Sequence, residues 1–390
     1  MGEAYIVAAT RTAGGRKGGR MSGWHPTDLA GQVLNELVKR AGADPALVED
    51  VIMGCVGQAG EQASNVARMA VLASNLPDSV PGTSVDRQCG SSQQALHFAA
   101  QAVMSGSMDC VIAAGVESMS RVPMGMQVVL PAKNGFGYYM SDRVKARYGV
   151  EDFSQFTGAE MIAKKYGYSR EKLDDYGFAS QRRAIAAAKA GAFDKEILPL
   201  EITLPDGSRE LHTIDEGIRF NVTREGMADV KLVAEGGVIT AATASQICDG
   251  ASGVMVVNEK GLKALGATPL AIVRHMTVTA GDPIIMLEEP LFGTERALKK
   301  AGMKIDDIDL YEVNEAFAPV PLAWLQHTGA DPDKLNVNGG AIALGHPLGA
   351  SGTKLMTTLI HALRARGKKY GLQTMCEGGG LTNVTIVEAL

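Results

Sequence analysis

Cysteine is scarce in this chain: five residues in 390, an odd set, with no C-x-x-C pair. That excludes a disulfide framework and points to free thiols in a reducing compartment. A basic surplus is also missing. The formal net charge of −5 argues against nucleic acid as a partner, since phosphate binding needs a concentrated basic face. No apolar run approaches the length of a membrane-spanning helix, so no membrane insertion is expected. The opening M-G-E-A-Y-I-V-A-A-T enters a strand-like run without a basic or apolar leader, and Ile6 stands where myristoylation wants Ser or Thr. The closing V-E-A-L is not a peroxisomal address. A cytoplasmic protein is the expectation. What remains, 46% hydrophobic and 21% charged residues, is the composition of a globular chain long enough for more than one core.

Strand-like and helical runs alternate through the first part: Ala4–Ala9, helix His25–Ala41, Val48–Val56, helix Asn65–Ser74, Thr83–Val85, helix Gln93–Met104, Cys110–Ala114. Such alternation predicts βαβ units and a largely parallel sheet covered on both faces. The second half repeats the style. Ala4-Tyr5-Ile6-Val7 finds an echo in Leu270-Ala271-Ile272-Val273, and residues 47–52 in residues 305–310. A strand, turn and helix at 83–104 matches another at 335–366. Three echoes in one order suggest a duplicated βαβ domain. Between the halves lies a segment rich in Met, Gly, Tyr and charge, with one firm helix over Asp174–Ala190. The expected division is 1–118 plus 244–265, an insertion over 119–243 that builds the substrate pocket, and 266–390.

The turns carry the chemistry. In T-S-V-D-R-Q-C-G-S-S-Q-Q-A, Cys89 follows a strand and precedes a helix. A sulfur at a helix N-terminus meets unpaired N–H groups and the positive dipole end, which stabilise a thiolate; the alternative is a small buried hydrophobe. In N-V-N-G-G-A-I-A-L-G-H-P-L-G-A-S-G (336–352), His346 holds the equivalent turn of the second half. Its glycines and proline suit exposure on a shaped turn. Cys376 leaves a strand into C-E-G-G-G, whose glycines allow backbone N–H groups to form an oxyanion hole. Asn314 opens N-E-A-F-A after another strand, either as a helix cap or as a site residue. Four such turns at equivalent strand ends fit an open α/β sheet, where ligands gather beyond the carboxyl ends.

Other features read differently. G-G-R-K-G-G-R at 14–20 resembles a phosphate loop, but Arg20-Met21 stands where Lys and Ser/Thr are needed, so a mobile basic loop is expected. Cys89, His346 and Cys376 lack the close ligand pairing of a zinc site, and no metal is expected. Cys55, Cys110 and Cys248 lie in apolar strand contexts and read as core; His97 reads as packing.

On these residues the sequence closely resembles the thiolases, the acyl-CoA:acetyl-CoA C-acyltransferases, from end to end. R-T-A-G-G, C-G-S-S-Q-Q-A, G-V-E-S-M-S-R-V-P, D-E-G-I-R, N-E-A-F-A, the histidine segment and the final C-E-G-G-G carry the likeness. The resemblance implies the thiolase fold, two related α/β halves in five layers (α-β-α-β-α) with an inserted loop domain, and a homodimer or homotetramer. It implies Cys89 as the acylated nucleophile, His346 as its base and Cys376 as the acid/base at the α-carbon. Asn314 would hold a water that forms one oxyanion hole with His346; the N–H groups of Cys89 and Gly378 would form the other. Arg219 and Ser245 match CoA contacts. CoA and acyl-CoA enter as substrates, with no bound cofactor.

Two departures bear on detail. Ser92 stands where a glycine is usual and is expected to cap its helix. Short-chain acetoacetyl-CoA thiolases tend to carry His-Met-Gly where this chain has Ser154-Gln155-Phe156. That favours a medium, branched or ring-derived 3-ketoacyl-CoA over acetoacetyl-CoA. Phe156, Met286 and the methionines 119, 124 and 126 either line such a pocket or pack the loop-domain core. The competing readings are an acetoacetyl-CoA thiolase working in condensation, a ketoacyl-synthase-like enzyme, and an inactive CoA-binding subunit.

Overall fold

The computed structural model describes residues 2–204 and 206–390. Its first part runs β1 (Tyr5–Thr12), β2 (Gly15–Arg16), α1 (Pro26–Ala41), β3 (Asp50–Gly54), α2 (Val66–Leu72), β4 (Gly82–Val85), α3 (Ser91–Ser105) and β5 (Cys110–Ser118). The chain then leaves the sheet for α4 (Met126–Lys133), α5 (Asp142–Tyr148), α6 (Gln155–Tyr166) and α7 (Arg170–Lys189). It continues through β6 (Ile197–Leu198), β7 (Leu200–Thr203), β8 (Arg209–His212) and α8 (Arg224–Ala228), then returns as β9 (Cys248–Val257) and α9 (Glu259–Leu265). The last part runs β10 (Ala271–Ala280), α10 (Glu289–Ala301), β11 (Leu310–Val313) and α11 (Pro319–Thr328). It closes with α12 (Ala341–Leu344), α13 (Ser351–Ala365), β12 (Tyr370–Glu377) and β13 (Leu381–Ala389).

The strands follow the order β11-β12-β13-β10-β1-β9-β5-β3-β4, with β2 on β9 and β6 on β1. The duplication is visible in the pairing. β3 lies parallel to β4 and β5, while β9 is antiparallel to β5 and β1. Likewise β11 lies parallel to β12 and to a bridge at Leu335, while β13 is antiparallel to β12 and β10. Each half therefore carries an antiparallel member, and the expectation of a largely parallel sheet is corrected to a mixed one. The hairpin explains it in the second half: β12 and β13 are joined by Gly378–Gly380 alone, too short for a parallel crossover. Gly379 and Gly380 take φ of 82° and 78°, which suit glycine in such a tight loop. The halves meet through two antiparallel pairs, Tyr5↔Ile272 and Ile6↔Ala271.

Strand residues alternate between two cores. Val51 and Met53 face α1 and α2, whereas Ile52 faces α3 and α13; Ile112 and Ala114 part from Val111 and Ala113 in the same way. Burial on both faces is why these strands read as unbroken apolar runs. The middle core joins Leu96, Ala99 and Val103 of α3 to Met356, Leu359 and Leu363 of α13. A third core sets α10 and α11, with the fully buried Trp324, against Val313, Leu372 and Val384. The layers are thus helix, sheet, helix pair, sheet, helix.

The central helices approach closely. A Cβ placed on Gly352 would lie 2.1 Å from the backbone N of Gln93, so only a glycine fits that crossing. Ser92 contributes there: its Oγ accepts from the Thr353 N–H of α13 at 3.0 Å. It therefore ties the helices together and does not cap its own, a correction to the capping expectation; Gly90 is the N-cap.

Candidate active site

Cys89 and Asn314 follow strands as expected, whereas Cys376 lies within the last residues of one and His346 follows a short helix, a correction to four equivalent strand-end turns. β4 leads through Gln88, at φ 50°, into Cys89. β11 leads to Asn314, β12 contains Cys376, and α12 leads to His346. The structure brings these four together as two pairs, His346 with Asn314 and Cys89 with Cys376. His346 Nε2 lies 3.4 Å from Asn314 Nδ2. The two thiols are close enough for ionised Cys89 to raise the Cys376 pKa, and the Gly378 N–H reaches the Cys89 sulfur along with the N–H of Cys89 itself. Cys89 packs on Leu355 and Met375.

Neighbouring bonds set the histidine's tautomer. Ser351 Oγ has one hydrogen and gives it to the Pro347 carbonyl at 2.9 Å. It therefore accepts from His346 Nδ1–H, at 2.5 Å, and leaves Nε2 unprotonated, its lone pair facing the Asn314 Nδ2 donor. Burial pushes the His346 pKa down to about 3, and the Lys354 ammonium adds to this. Lys354 donates to the Leu344 and Gly345 carbonyls that precede His346. His346 is a neutral base with Nε2 as its basic atom.

Two expectations need correction. His346 is 4% exposed, not displayed on the surface; a lone pair shielded from bulk water is what keeps it unprotonated. Cys89 is not an acidified thiol either. Burial drives its pKa up to about 12 and the Glu377 charge adds to that, while the N–H groups of Cys89 and Gly378 pull the other way and lose. The helix terminus alone does not ionise this sulfur. It needs a base.

A cavity of about 430 Å³ opens on His346, lined by Phe156, Phe317, Leu348, Ser245 and Arg219 among others. Arg219 also lines an adjoining cavity of about 180 Å³ with Gln181, Asn221 and Thr223. Phe156 stands edge-on to Phe317 with ring centroids 5.4 Å apart. Met119 and Met124 line the larger cavity. Met286 does not; it is 4% exposed and packs in the core with α6 and α10. Cys55, Cys110 and Cys248 are buried free thiols. His97 is buried between Thr385 Oγ1 and Asn383 Nδ2. The basic loop at 14–20 is not loose: β2 pairs with β9, and Arg16 N and Arg20 N both donate to Glu216 Oε2.

Residues 4–260 match the family model for the N-terminal domain of thiolase, and 267–389 that for the C-terminal domain. The chain belongs to the thiolase family. This thiolase is 48% identical to the steroid 3-ketoacyl-CoA thiolase of Mycobacterium tuberculosis, over 100% of this chain and 95% of the relative. It is 41% identical to the 3-ketoacyl-CoA thiolase of Aliivibrio fischeri, over 100% of both. Among solved structures, an acetyl-CoA acetyltransferase of Bacillus anthracis matches with a TM-score of 0.91 at 34% identity, covering 100% of this chain and 99% of that one. The fold is the thiolase fold. The thiolase is an acyltransferase acting on CoA thioesters, and the family needs no bound cofactor.

Several residues that hold the thiolase site escaped the sequence reading. Ser351 lies five residues beyond His346, a spacing with meaning only once the turn is known. Glu117 accepts from the N–H groups of Val56, Gly57 and Gly349, clamping the histidine loop to the first half. Glu315 accepts from Tyr176, Ser180, Asn336 and the Ile342 N–H, which fixes N-E-A-F-A. Arg11 pairs with Glu196 at 2.6 Å and Asp215 at 2.8 Å, fully buried, fastening the 119–247 segment to β1. A buried charge is retained where it is paired, and the partners lie about 200 residues away in the chain.

Proposed function

We propose that this thiolase cleaves 3-ketoacyl-CoA with CoA, through an acyl-enzyme on Cys89, and that its acyl chain is medium, branched or ring-derived. The reading is supported by a neutral His346, its Nε2 left unprotonated because Ser351 accepts from Nδ1–H, and by two neighbouring thiols that burial keeps protonated. His346 Nε2 takes the Cys89 proton as the sulfur adds to the ketone carbon. The oxyanion is held by a water on Asn314 together with His346. The Cα–Cβ bond then breaks, the acyl group stays on Cys89 as a thioester, and the electron pair leaves as the enolate of acetyl-CoA or propionyl-CoA. The N–H groups of Cys89 and Gly378 receive that enolate oxygen, and Cys376 gives its proton to the carbon. A second CoA, its thiol proton passing to Cys376, attacks the thioester; Cys89 leaves and recovers its proton from His346. Arg219 and Ser245 hold CoA along the two adjoining cavities.

The substrate class is supported by Gln155 and Phe156 lining the cavity in place of Met-Gly, and by the name of the mycobacterial relative, which specifies steroid 3-ketoacyl-CoA. Degradation by β-oxidation chemistry is the matching direction. The division 1–118 plus 244–265, 119–243 and 266–390 fits a substrate-binding insertion above a duplicated core. A homodimer or homotetramer is supported by β4, which ends the sheet with a free edge, and by Val129, Leu130, Phe136 and Tyr139 exposed on one stretch. The buried free thiols accord with the cytoplasm, and no described helix is long and apolar enough to cross a membrane.

Intact mass spectrometry after mixing with a 3-ketoacyl-CoA, CoA withheld, tests the reading. The wild type should gain one acyl group and Cys89→Ala none. An acyl adduct on Cys89→Ala refutes it.

A further inference from the structure

Acidic residues outnumber basic ones in this chain, 43 to 38, yet the cavity on His346 is lined by three cations, Arg16, Lys17 and Arg219, and by no Asp or Glu. A cleft lined by one sign of charge, with apolar walls, concentrates the opposite charge. The three cations divide. Arg219 borders both cavities and so marks the passage between them. Arg16 and Lys17 border only the larger one, together with the apolar Met119, Met124 and Leu348.

The loop that presents them is fixed by its backbone. Gly15 and Arg16 pair with Asp249 and Cys248 of β9, Arg16 N donates to Glu216 at 3.0 Å, and Gly18 N donates to Ser120 Oγ at 2.7 Å. Two of its cationic side chains, Arg16 and Lys17, lack a close ion pair. The Arg16 guanidinium is 71% exposed, with one loose approach to Glu216 at 3.7 Å. Lys17 has no ion pair among the described residues, whereas Arg20, on the same loop, is paired with Glu210 at 2.6 Å. A glycine-flanked backbone held rigid with one loosely paired cation and one without an ion pair at a mainly apolar mouth is pre-organised for a ligand with an apolar body and an anionic end.

We propose that Arg16 and Lys17 form an anion subsite for a carboxylate carried on the acyl chain, so that the preferred substrate is a 3-ketoacyl-CoA ending in a carboxylate. The inference rests on the thiolysis reading above and deepens it. The other anion in reach is CoA itself, whose phosphates the same loop could read, and the test separates the two. Thiolysis is measured as kcat/KM for paired 3-ketoacyl-CoA chains of six, eight and ten carbons, each ending in a methyl or a carboxylate group. The wild type should favour the carboxylate end at least tenfold at one or more lengths, and added salt should reduce that preference. In Arg16→Gln/Lys17→Gln the ratio should fall toward one. Lys17→Gln alone, at a side chain without an ion pair, gives a partial fall and guards against a folding defect.

A wild type that does not distinguish the two ends overturns the proposal. So does a double variant in which KM for CoA rises and both chain ends lose equally, since the loop then serves the CoA phosphates. Absence of thiolysis with every chain would overturn the functional reading itself, and this inference with it.

Discussion

Replacing Gly352 with alanine tests whether the crossing of α3 and α13 sets the distance between nucleophile and base. The added Cβ would lie 2.1 Å from Gln93 N, 2.7 Å from Gln93 Cβ and 2.8 Å from Gln93 Cα. Ordinary contact begins at 3.4 Å, so the helices must part by about 1.3 Å (3.4 − 2.1) at that point. Overpacking a core costs about 1–3 kcal/mol. The obstacle here is backbone, and parting the helices also strains the Thr353 N–H to Ser92 bond, worth about 1 kcal/mol. The sum lies at about 2–4 kcal/mol. Catalysis should suffer separately, because Cys89 heads α3 and His346 precedes α13; misplacement by about 1 Å costs on the order of 10²-fold. Denaturant midpoints and the rate of Cys89 acylation are the two readouts. Gly23→Ala, where nothing lies within 4 Å of the added Cβ, is the control and should change neither. A Gly352→Ala protein with wild-type midpoint and acylation rate would show that the crossing is pliable and refute the reasoning.

Ser351→Ala removes the acceptor that holds the His346 tautomer, so acylation should slow by about 10²-fold with little change in KM; an equal change in both would assign Ser351 to binding. His97 is buried with its pKa lowered to about 3 by burial, with Arg87 and His275 adding. A group depressed in the fold loses stability as pH falls from its unfolded value near 6.5 toward the folded one. The stability difference between wild type and His97→Gln should therefore shift toward the variant by about 1.4 kcal/mol per pH unit between pH 6 and 4. A difference that does not move with pH would mean the folded imidazole is already charged.

Much of the fold was legible because its strands and helices carry local signals. Asn65 and Gly106 cap their helices as their residue types favour, and the doubly buried strands read as apolar runs. The four turns were legible because glycine and proline around a reactive side chain have few packing uses. What escaped was everything decided at a distance. Antiparallel β9 and β13 depend on where the chain re-enters the sheet. The high pKa of Cys89 depends on how deeply a second half covers it. Met286 stayed open between pocket and core because a methionine after a loop looks the same whether it meets a cavity or a core. Arg16 and Lys17 were seen as a basic loop, but only β9 and Glu216 show that the loop is held against the cavity.

The two strand–turn–helix units that carry Cys89 and His346 are the same piece of architecture used twice. Had they been separate identical chains, symmetry would have forced the same residue onto both turns, thiol facing thiol or imidazole facing imidazole. Fused in one chain, the copies are free to diverge, and each keeps half of a reaction. The first half, expressed alone, would hold the nucleophile without its base, and the second would hold His346, Asn314 and Cys376 without the nucleophile.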